Sequence, residues 1–159
     1  MRIRREAPMV YEKQHIIREL TEHLQVDGEL FILTEDGVNI EVRHQIQQQF
    51  PYSIQYTVLS TSHMKTLETM EKVIKFMYYN GCRTKTTILI LGGIQLKEFG
   101  GFLANSYYCG IPYVYIPVGI EAQKNFKSSF CGMDFQSVPN ILGCSYAPSM
   151  VFLDSSLSI

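Results

Sequence analysis

Thr86-Thr87-Ile88-Leu89-Ile90-Leu91-Gly92-Gly93-Ile94-Gln95-Leu96-Lys97-Glu98-Phe99-Gly100-Gly101-Phe102 reads as a buried strand running into a glycine turn and then a helix. An unbroken aliphatic run is the pattern of a central parallel strand covered on both faces. The turn after such a strand is where a dinucleotide pyrophosphate meets a helix N-terminus. A phosphate turn needs glycine wherever the backbone approaches the ligand, because a Cβ takes the space of the oxygen. Ile94 and Lys97 are bulky at such positions. The layout is that of a nucleotide site with its approach filled.

Outward from this stretch, strands and helices alternate. Val10 to Val26 carries Ile16, Ile17, Leu20 and Leu24 at helical spacing, with Gly28 as a stop, which predicts a first amphipathic helix. Leu30 to Thr34 reads as a strand, Val38 to Phe50 as a glutamine-rich helix ended by Phe50-Pro51, and Ile54 to Leu59 as a second strand. Thr66 to Tyr79 places Leu67, Met70, Val73, Ile74 and Met77 on one stripe and ends near Asn80-Gly81. Thr87 to Leu91 is the third strand, Phe99 to Tyr108 a helix, Tyr113 to Ile116 a fourth strand closed by Pro117, and Val151 to Leu153 a fifth. Helical crossovers between strands require a mostly parallel sheet covered on both faces, a Rossmann-like α/β fold. Glu121 to Val138 is the least regular stretch and reads as a long loop. No internal repeat or linker divides residues 1–159, which read as one domain.

Composition narrows the function. The chain has 159 residues, is 46% apolar and carries a formal charge of −1, which gives no electrostatic footprint for nucleic acid. Its one basic cluster, Arg2, Arg4 and Arg5, is terminal. No apolar run approaches the roughly 20 residues that span a bilayer, and no signal-peptide core follows the arginines, so a cytoplasmic protein with no membrane or nucleic-acid partner is expected. Cys82, Cys109, Cys131 and Cys144 lack metal-binding or disulfide-scaffold spacing and read as reduced thiols. The histidines His15, His23, His44 and His63 form no chelating pair, so no metal site is expected in this chain. No Ser-His-Asp set, thiol-histidine pair or Walker-type loop is present; Glu121 and Asp134 read as solvated loop acids. Glu35-Asp36-Gly37 reads as a turn with good helix-entry chemistry.

Several short motifs stand in one register: Lys65-Thr66-Leu67-Glu68-Thr69-Met70-Glu71-Lys72-Val73, the strand with its Gly92-Gly93 turn, Gly100-Gly101-Phe102, Gly110-Ile111-Pro112-Tyr113-Val114-Tyr115-Ile116-Pro117, Asn140-Ile141-Leu142-Gly143 and Val151-Phe152-Leu153-Asp154. Their order and spacing over residues 30–157 resemble the N-terminal half of 3-dehydroquinate synthase, of the sugar-phosphate cyclase family. The resemblance implies an NAD-binding α/β domain, followed in complete enzymes by a helical domain that brings the metal ligands and much of the substrate site. Ile159 falls about where that second domain is expected to begin.

Position by position, the resemblance implies mostly losses. In the family's Gly-Gly-Gly-x-x-Gly-Asp turn only Gly92 and Gly93 stand, with Ile94, Lys97 and Glu98 at the other three positions. The family's Gly-Glu-x-x-Lys appears as Thr61-Ser62-His63-Met64-Lys65, keeping the lysine alone, and its Pro-Thr-Thr as Pro117-Val118-Gly119. Its Asp-Ser-Ser-x-Gly-Gly-Lys appears as Asn125-Phe126-Lys127-Ser128-Ser129-Phe130-Cys131, without either charge. Its Lys-Asn pair appears as Pro139-Asn140. The residues left for a weakened NAD site are Thr34, Lys65, Gly92, Gly93 and Lys97, with Asn140 left on the substrate side. Lys97 has two readings, a cation compensating at a pyrophosphate or an exposed residue at the helix start, the second being simpler. Glu35-Asp36-Gly37 lies where the family approaches the adenosine ribose.

Three functions follow as expectations. The first is a non-catalytic, pseudoenzyme-like domain acting through a homo-oligomer or partner protein, with Phe126, Phe130, Phe135 and Tyr146 either lining that interface or refilling the emptied cleft as core. The second is the NAD-binding subunit of a split dehydroquinate synthase or related cyclase. The third is a nucleotide sensor using Thr34, Lys65 and Gly92-Gly93.

Overall fold

The computed structural model describes residues 7–158, so Arg2, Arg4 and Arg5 lie outside the described residues. Six strands, β1 (Met9–Glu12), β2 (Leu30–Glu35), β3 (Ile54–Val58), β4 (Thr87–Gly92), β5 (Tyr113–Pro117) and β8 (Met150–Leu153), form one parallel sheet in the order β1-β8-β5-β4-β2-β3. The remaining two, β6 (Phe130–Phe135) and β7 (Val138–Ser145), make a separate antiparallel hairpin. The helices are α1 (Leu20–His23), α2 (Ile40–Gln49), α3 (Leu67–Tyr79), α4 (Ile94–Ser106) and α5 (Ile120–Asn125).

Strand side chains alternate between faces, and here both faces are apolar. Phe31 and Leu33, Ile88 and Ile90, and Tyr113 and Tyr115 point toward α3, α4 and the hairpin. Leu30 and Ile32, Leu89 and Leu91, and Val114 and Ile116 point the other way, onto Ile16, Ile17, Leu20, Val38 and Ile46. The Rossmann-like expectation is met.

Three segments differ from the reading of the sequence. The stripe Ile16, Ile17, Leu20 and Leu24 is buried as expected, but no single helix carries it. The segment is strand β1, a 3-10 turn at Ile16–Glu19 and the short α1. The buried Asp154 carboxylate accepts from the amides of His15 at 2.9 Å and Ile17 at 3.3 Å, and His15 adopts a left-handed φ of 62°. Tertiary bonding from the far end of the chain breaks the helix that local periodicity favours. Helix α4 begins at Ile94, immediately after the glycine turn, and not at Phe99.

The stretch Glu121 to Val138 is not a long loop; it contains most of α5, all of β6 and the hairpin turn. That turn is Gln136-Ser137, with φ of 46° and 67°. Both values match a two-residue turn with positive φ, a geometry that favours Asn-Gly and that Gln-Ser does not announce. The hairpin lies closely on α4 because Gly101 has no side chain; a Cβ there would collide with Cys131 Sγ.

Candidate functional site at the C-terminal edge of the sheet

The carboxyl ends of β2 and β4 lie side by side, with Thr34 paired to Leu91. Chains leaving this edge form the crevice where ligands bind in open α/β sheets. Gly92 ends β4, and Gly93 caps α4 with extended backbone and no side chain to satisfy the helix's first donors. Glu35, the last residue of β2, takes that role. Its Oε2 accepts the Gly93 N–H at 3.2 Å and its Oε1 accepts the Ser60 hydroxyl at 3.2 Å. The space a Cβ would need on Gly92 is filled by the same carboxylate and by Leu96 Cδ2, each 2.7 Å away. Beside it, Asp36 Oδ1 accepts the Ser60 N–H at 2.8 Å, and the polar groups of Ser60 hold its carboxyl below the usual carboxylate range.

A second polar group sits between α3, α4 and the hairpin. The Thr66 side chain caps α3, accepting from Thr69 N at 3.3 Å, and the preceding Lys65 is turned inward with only 4% of its side chain exposed. Its ammonium donates to Glu98 Oε2 at 3.1 Å and to Asn140 Oδ1 at 2.6 Å, with Asp134 Oδ1 at 3.9 Å. Asp134 Oδ1 also accepts the Asn140 N–H at 2.8 Å, and the Asp134 N–H donates to Lys65 O at 2.8 Å. Asn140 has a left-handed φ of 56°, a conformation asparagine tolerates better than most residues. One cation thus faces two carboxylates and an amide drawn from α4, β6 and β7. Its donors are directed at the chain itself.

Lys97 is a correction to the simpler reading of the sequence. It is fully buried, and its ammonium donates to Phe130 O at 3.0 Å and to Ser128 O, both at the start of the hairpin. Burial pushes its pKa below the usual lysine range, opposed by Cys131, Glu98 and Cys144. Position 97 looked exposed only because the hairpin that covers it read as loop. Its ammonium points to that hairpin. Thr34 is also committed, since its hydroxyl donates to Leu91 O at 2.9 Å within the sheet.

Of the residues singled out beforehand, Lys65 and Asn140 come together, Gly92 and Gly93 form the turn as expected, and Thr34 and Lys97 bond to backbone. Asp134 is not a solvated loop acid; it lies on β6 beside Lys65. Ser60 was not singled out, and nothing in its local sequence marks it. Phe126 and Tyr146 pack against the core, whereas Phe135 remains half exposed. Among the described residues one set of side chains has metal-binding proximity, Glu19, Glu22 and His23, and Glu19 there already binds Lys13 at 2.6 Å.

A parallel sheet wound on both faces, with a glycine turn heading α4 at its carboxyl edge, defines a Rossmann-like nucleotide-binding fold. The sequence model for the N-terminal domain of 3-dehydroquinate synthase matches residues 55–158, and the chain belongs to that family. Curated relatives include the 3-dehydroquinate synthases of Clostridium tetani, 26% identical over 84% of this chain and 36% of the relative, and of Alkaliphilus oremlandii, 31% identical over 80% and 36%. The chain spans little more than a third of those relatives' length. A solved 2-deoxy-scyllo-inosose synthase, complexed with carbaglucose-6-phosphate, NAD+ and Co2+, superposes with a TM-score of 0.84 at 19% identity, covering 94% of this chain and 42% of that one. A 2-epi-5-epi-valiolone synthase from Streptomyces hygroscopicus with NAD+ and Zn2+ bound superposes at 0.77 and 19% identity, covering 99% and 45%. These likenesses show the fold.

The family implies NAD, and the turn can be tested for it. A pyrophosphate needs open backbone donors and room beside the glycines. Here the Gly93 donor is taken by the Glu35 carboxylate, and the space beside Gly92 is filled by that carboxylate and by Leu96 Cδ2. In this arrangement the Gly93 amide is not open to an anion, while the amides of Ile94, Gln95 and Leu96 that follow it have no acceptor among the described residues.

Proposed function

We propose that this chain is a dehydroquinate-synthase-like domain without cyclase activity of its own, acting through contact with a second copy or a partner protein. The observation that carries the reading is the internal commitment of the polar residues. Lys65 spends its donors on Glu98 and Asn140, Lys97 on hairpin carbonyls, and Gly93 on Glu35. Groups committed to internal acceptors stabilise the fold and must give up those bonds before they can meet a ligand. The apolar residues Phe135, Val138, Ile141 and Leu142 stay exposed on the hairpin, which supports an interface there. No helix among the described residues is long and apolar enough to cross a membrane. The reading places the domain in the cytoplasm.

The test is a calorimetric titration of the pure chain with NAD, run with an assay for 3-dehydroquinate formation and light scattering. Flat heats at millimolar NAD, no product, and an oligomer or captured partner are expected. Product formation or micromolar NAD affinity would overturn the proposal. It would favour the second reading, an NAD-binding unit completed by another chain, which the convergence of Lys65 and Asn140 and the NAD+ bound in the solved neighbours support.

A further inference from the structure

Antiparallel strands β6 and β7 set Cys131 directly opposite Cys144. Residues so opposed share a face, and their Cα atoms stand about 4.5–5.5 Å apart, inside the range of about 4.4–6.8 Å that a disulfide spans. Both are free thiols, Cys131 fully buried and Cys144 half-buried, and each perturbs the other directly. Losing the Cys131 proton strands no acceptor. Its S–H bonds to Ser129 O and Tyr146 O are long, at 3.6 and 3.5 Å, and those carbonyls keep the Tyr146 N–H and the Tyr113 hydroxyl. The buried Lys97 ammonium lies near both sulfurs and opposes the rise that burial imposes on the Cys131 thiol.

We propose that Cys131 and Cys144 form a reversible disulfide, a redox-controlled staple of the hairpin, made by exchange with a low-molecular-weight disulfide such as oxidised glutathione. The division of labour follows from exposure. Cys144 is reached from solvent; its thiolate attacks the glutathione disulfide, forming a mixed disulfide and releasing one glutathione, which takes up the proton that Cys144 lost. Cys131 has no opening to solvent but faces the Cys144 sulfur. Its thiolate, steadied by Lys97, attacks that sulfur and expels the second glutathione, which takes up the proton that Cys131 lost. Two electrons pass from the two cysteines to the glutathione disulfide. In a reducing compartment such bonds are transient and report redox state. The staple closes a loop that contains Asp134 and Asn140, the hairpin groups that face Lys65. Oxidation therefore fixes the cover of α4 and the acceptors of Lys65, and reduction leaves them to non-covalent contacts. The inference goes beyond the proposed function and does not depend on it, because the bond it makes lies inside the hairpin.

The pure chain is equilibrated with mixtures of reduced and oxidised glutathione, both folded and in unfolding urea, then alkylated and mapped as unreduced peptides. A Cys131–Cys144 linkage is expected, and the folded chain should reach it at about tenfold less oxidised glutathione than the unfolded one. Folded Cys131→Ser should retain glutathione on Cys144, and folded Cys144→Ser should leave Cys131 unmodified. Oxidation should raise the thermal midpoint of the parent by at least about 4 °C, reversed by reductant and absent from both variants. A folded parent that keeps both thiols, ends with glutathione on Cys144, or links through Cys109 instead would overturn the inference. So would a linkage that forms as readily in urea as in the folded chain. Where circular dichroism shows that a serine variant does not fold, the parent's own peptide map and its comparison with urea decide the matter.

Discussion

Replacing Lys65 by Met tests whether the residues around the crevice now serve the fold. Lys65 is 4% exposed, with Glu98 14% and Asp134 25% exposed, so the substitution strands two carboxylates that retain limited access to water. Breaking a buried pair by deleting one partner costs about 3–5 kcal/mol, and the partial exposure of both acids brings the expectation to about 3 kcal/mol. The loss of the 2.6 Å bond to Asn140 falls within that figure, because it is partly offset by no longer burying an ammonium. For a chain of 159 residues each kcal/mol moves the thermal midpoint by about 2–4 °C, so a fall of about 6–12 °C is expected by circular dichroism. Removing the stranded charges as well, in Lys65→Met with Glu98→Gln and Asp134→Asn, should recover at least half of it, since methionine packs where the ammonium stem lay. Residues kept for a ligand behave in the opposite sense, because preorganised functional charges are commonly held at a cost to stability. A midpoint unchanged within about 2 °C or raised, or a triple variant no more stable than the single, would refute the claim that this cluster serves the fold.

Asp154 gives a pH dependence of definite sign. Burial works to raise its carboxyl, yet bonds from Ser156, His15 and Ile17 hold it below its ordinary value of 3.8. Its folded value is the lower one, so its contribution is complete above the ordinary, unfolded value of 3.8 and is lost as pH falls below that and through the folded one. Asp154→Asn should therefore lower the urea midpoint at pH 7 and flatten the decline between about pH 5 and pH 3; an unchanged slope would contradict this. Gly101→Ala should cost about 1–3 kcal/mol through the collision with Cys131 Sγ, and Cys131→Ala in the same chain should return part of it, measured as a double-mutant cycle in urea. Thiol labelling followed by peptide mapping should modify exposed Cys109 first and Cys144 next, leaving Cys82 and Cys131 for the unfolded chain. Burial pushes the Cys82 and Cys144 thiols up to about 11, which slows both; equal rates for Cys131 and Cys109 would disprove the packing of the hairpin on α4.

The sheet was legible wherever local pattern and tertiary environment agree. Leu30 to Thr34, Thr87 to Leu91 and Tyr113 to Ile116 are apolar but for a threonine at the end of each of the first two, because both their faces are buried, and the sequence shows this directly. Helix α3 was legible because its buried face repeats at helical spacing and Thr66, Asn80 and Gly81 punctuate it, with Gly81 at a φ of 90°. The failures share a different cause. Strand β1 pairs with β8, more than a hundred residues away, and the break at His15 depends on a carboxylate equally distant. The hairpin hides behind a Gln-Ser turn and a β7 strand that is exposed along nearly its whole length, so no alternation marks it.

The site shows the same limit more sharply, because sequence supplies residue types and not the direction of side chains. Lys65 and Asn140 read as remnants pointing at an absent ligand, Lys97 as an exposed residue at the helix start or a cation for a pyrophosphate, and Glu35, Asp134 and Glu98 as a turn residue, a loop acid and a lost aspartate. Placed together, the acids and lysines answer one another. Glu98 and Asp134 hold Lys65, the hairpin carbonyls hold Lys97, and Glu35 holds the amide that heads α4. A nucleotide turn that merely decays is left with unsatisfied donors, and each buried one costs about 1–3 kcal/mol. In this chain the Gly93 amide and the ammonium groups of both lysines have internal acceptors. That pairing is a constraint of folding, met by residues drawn from β2, α4, β6 and β7, and it sets Lys97 against the hairpin carbonyls and Glu98 against Lys65 on the same helix.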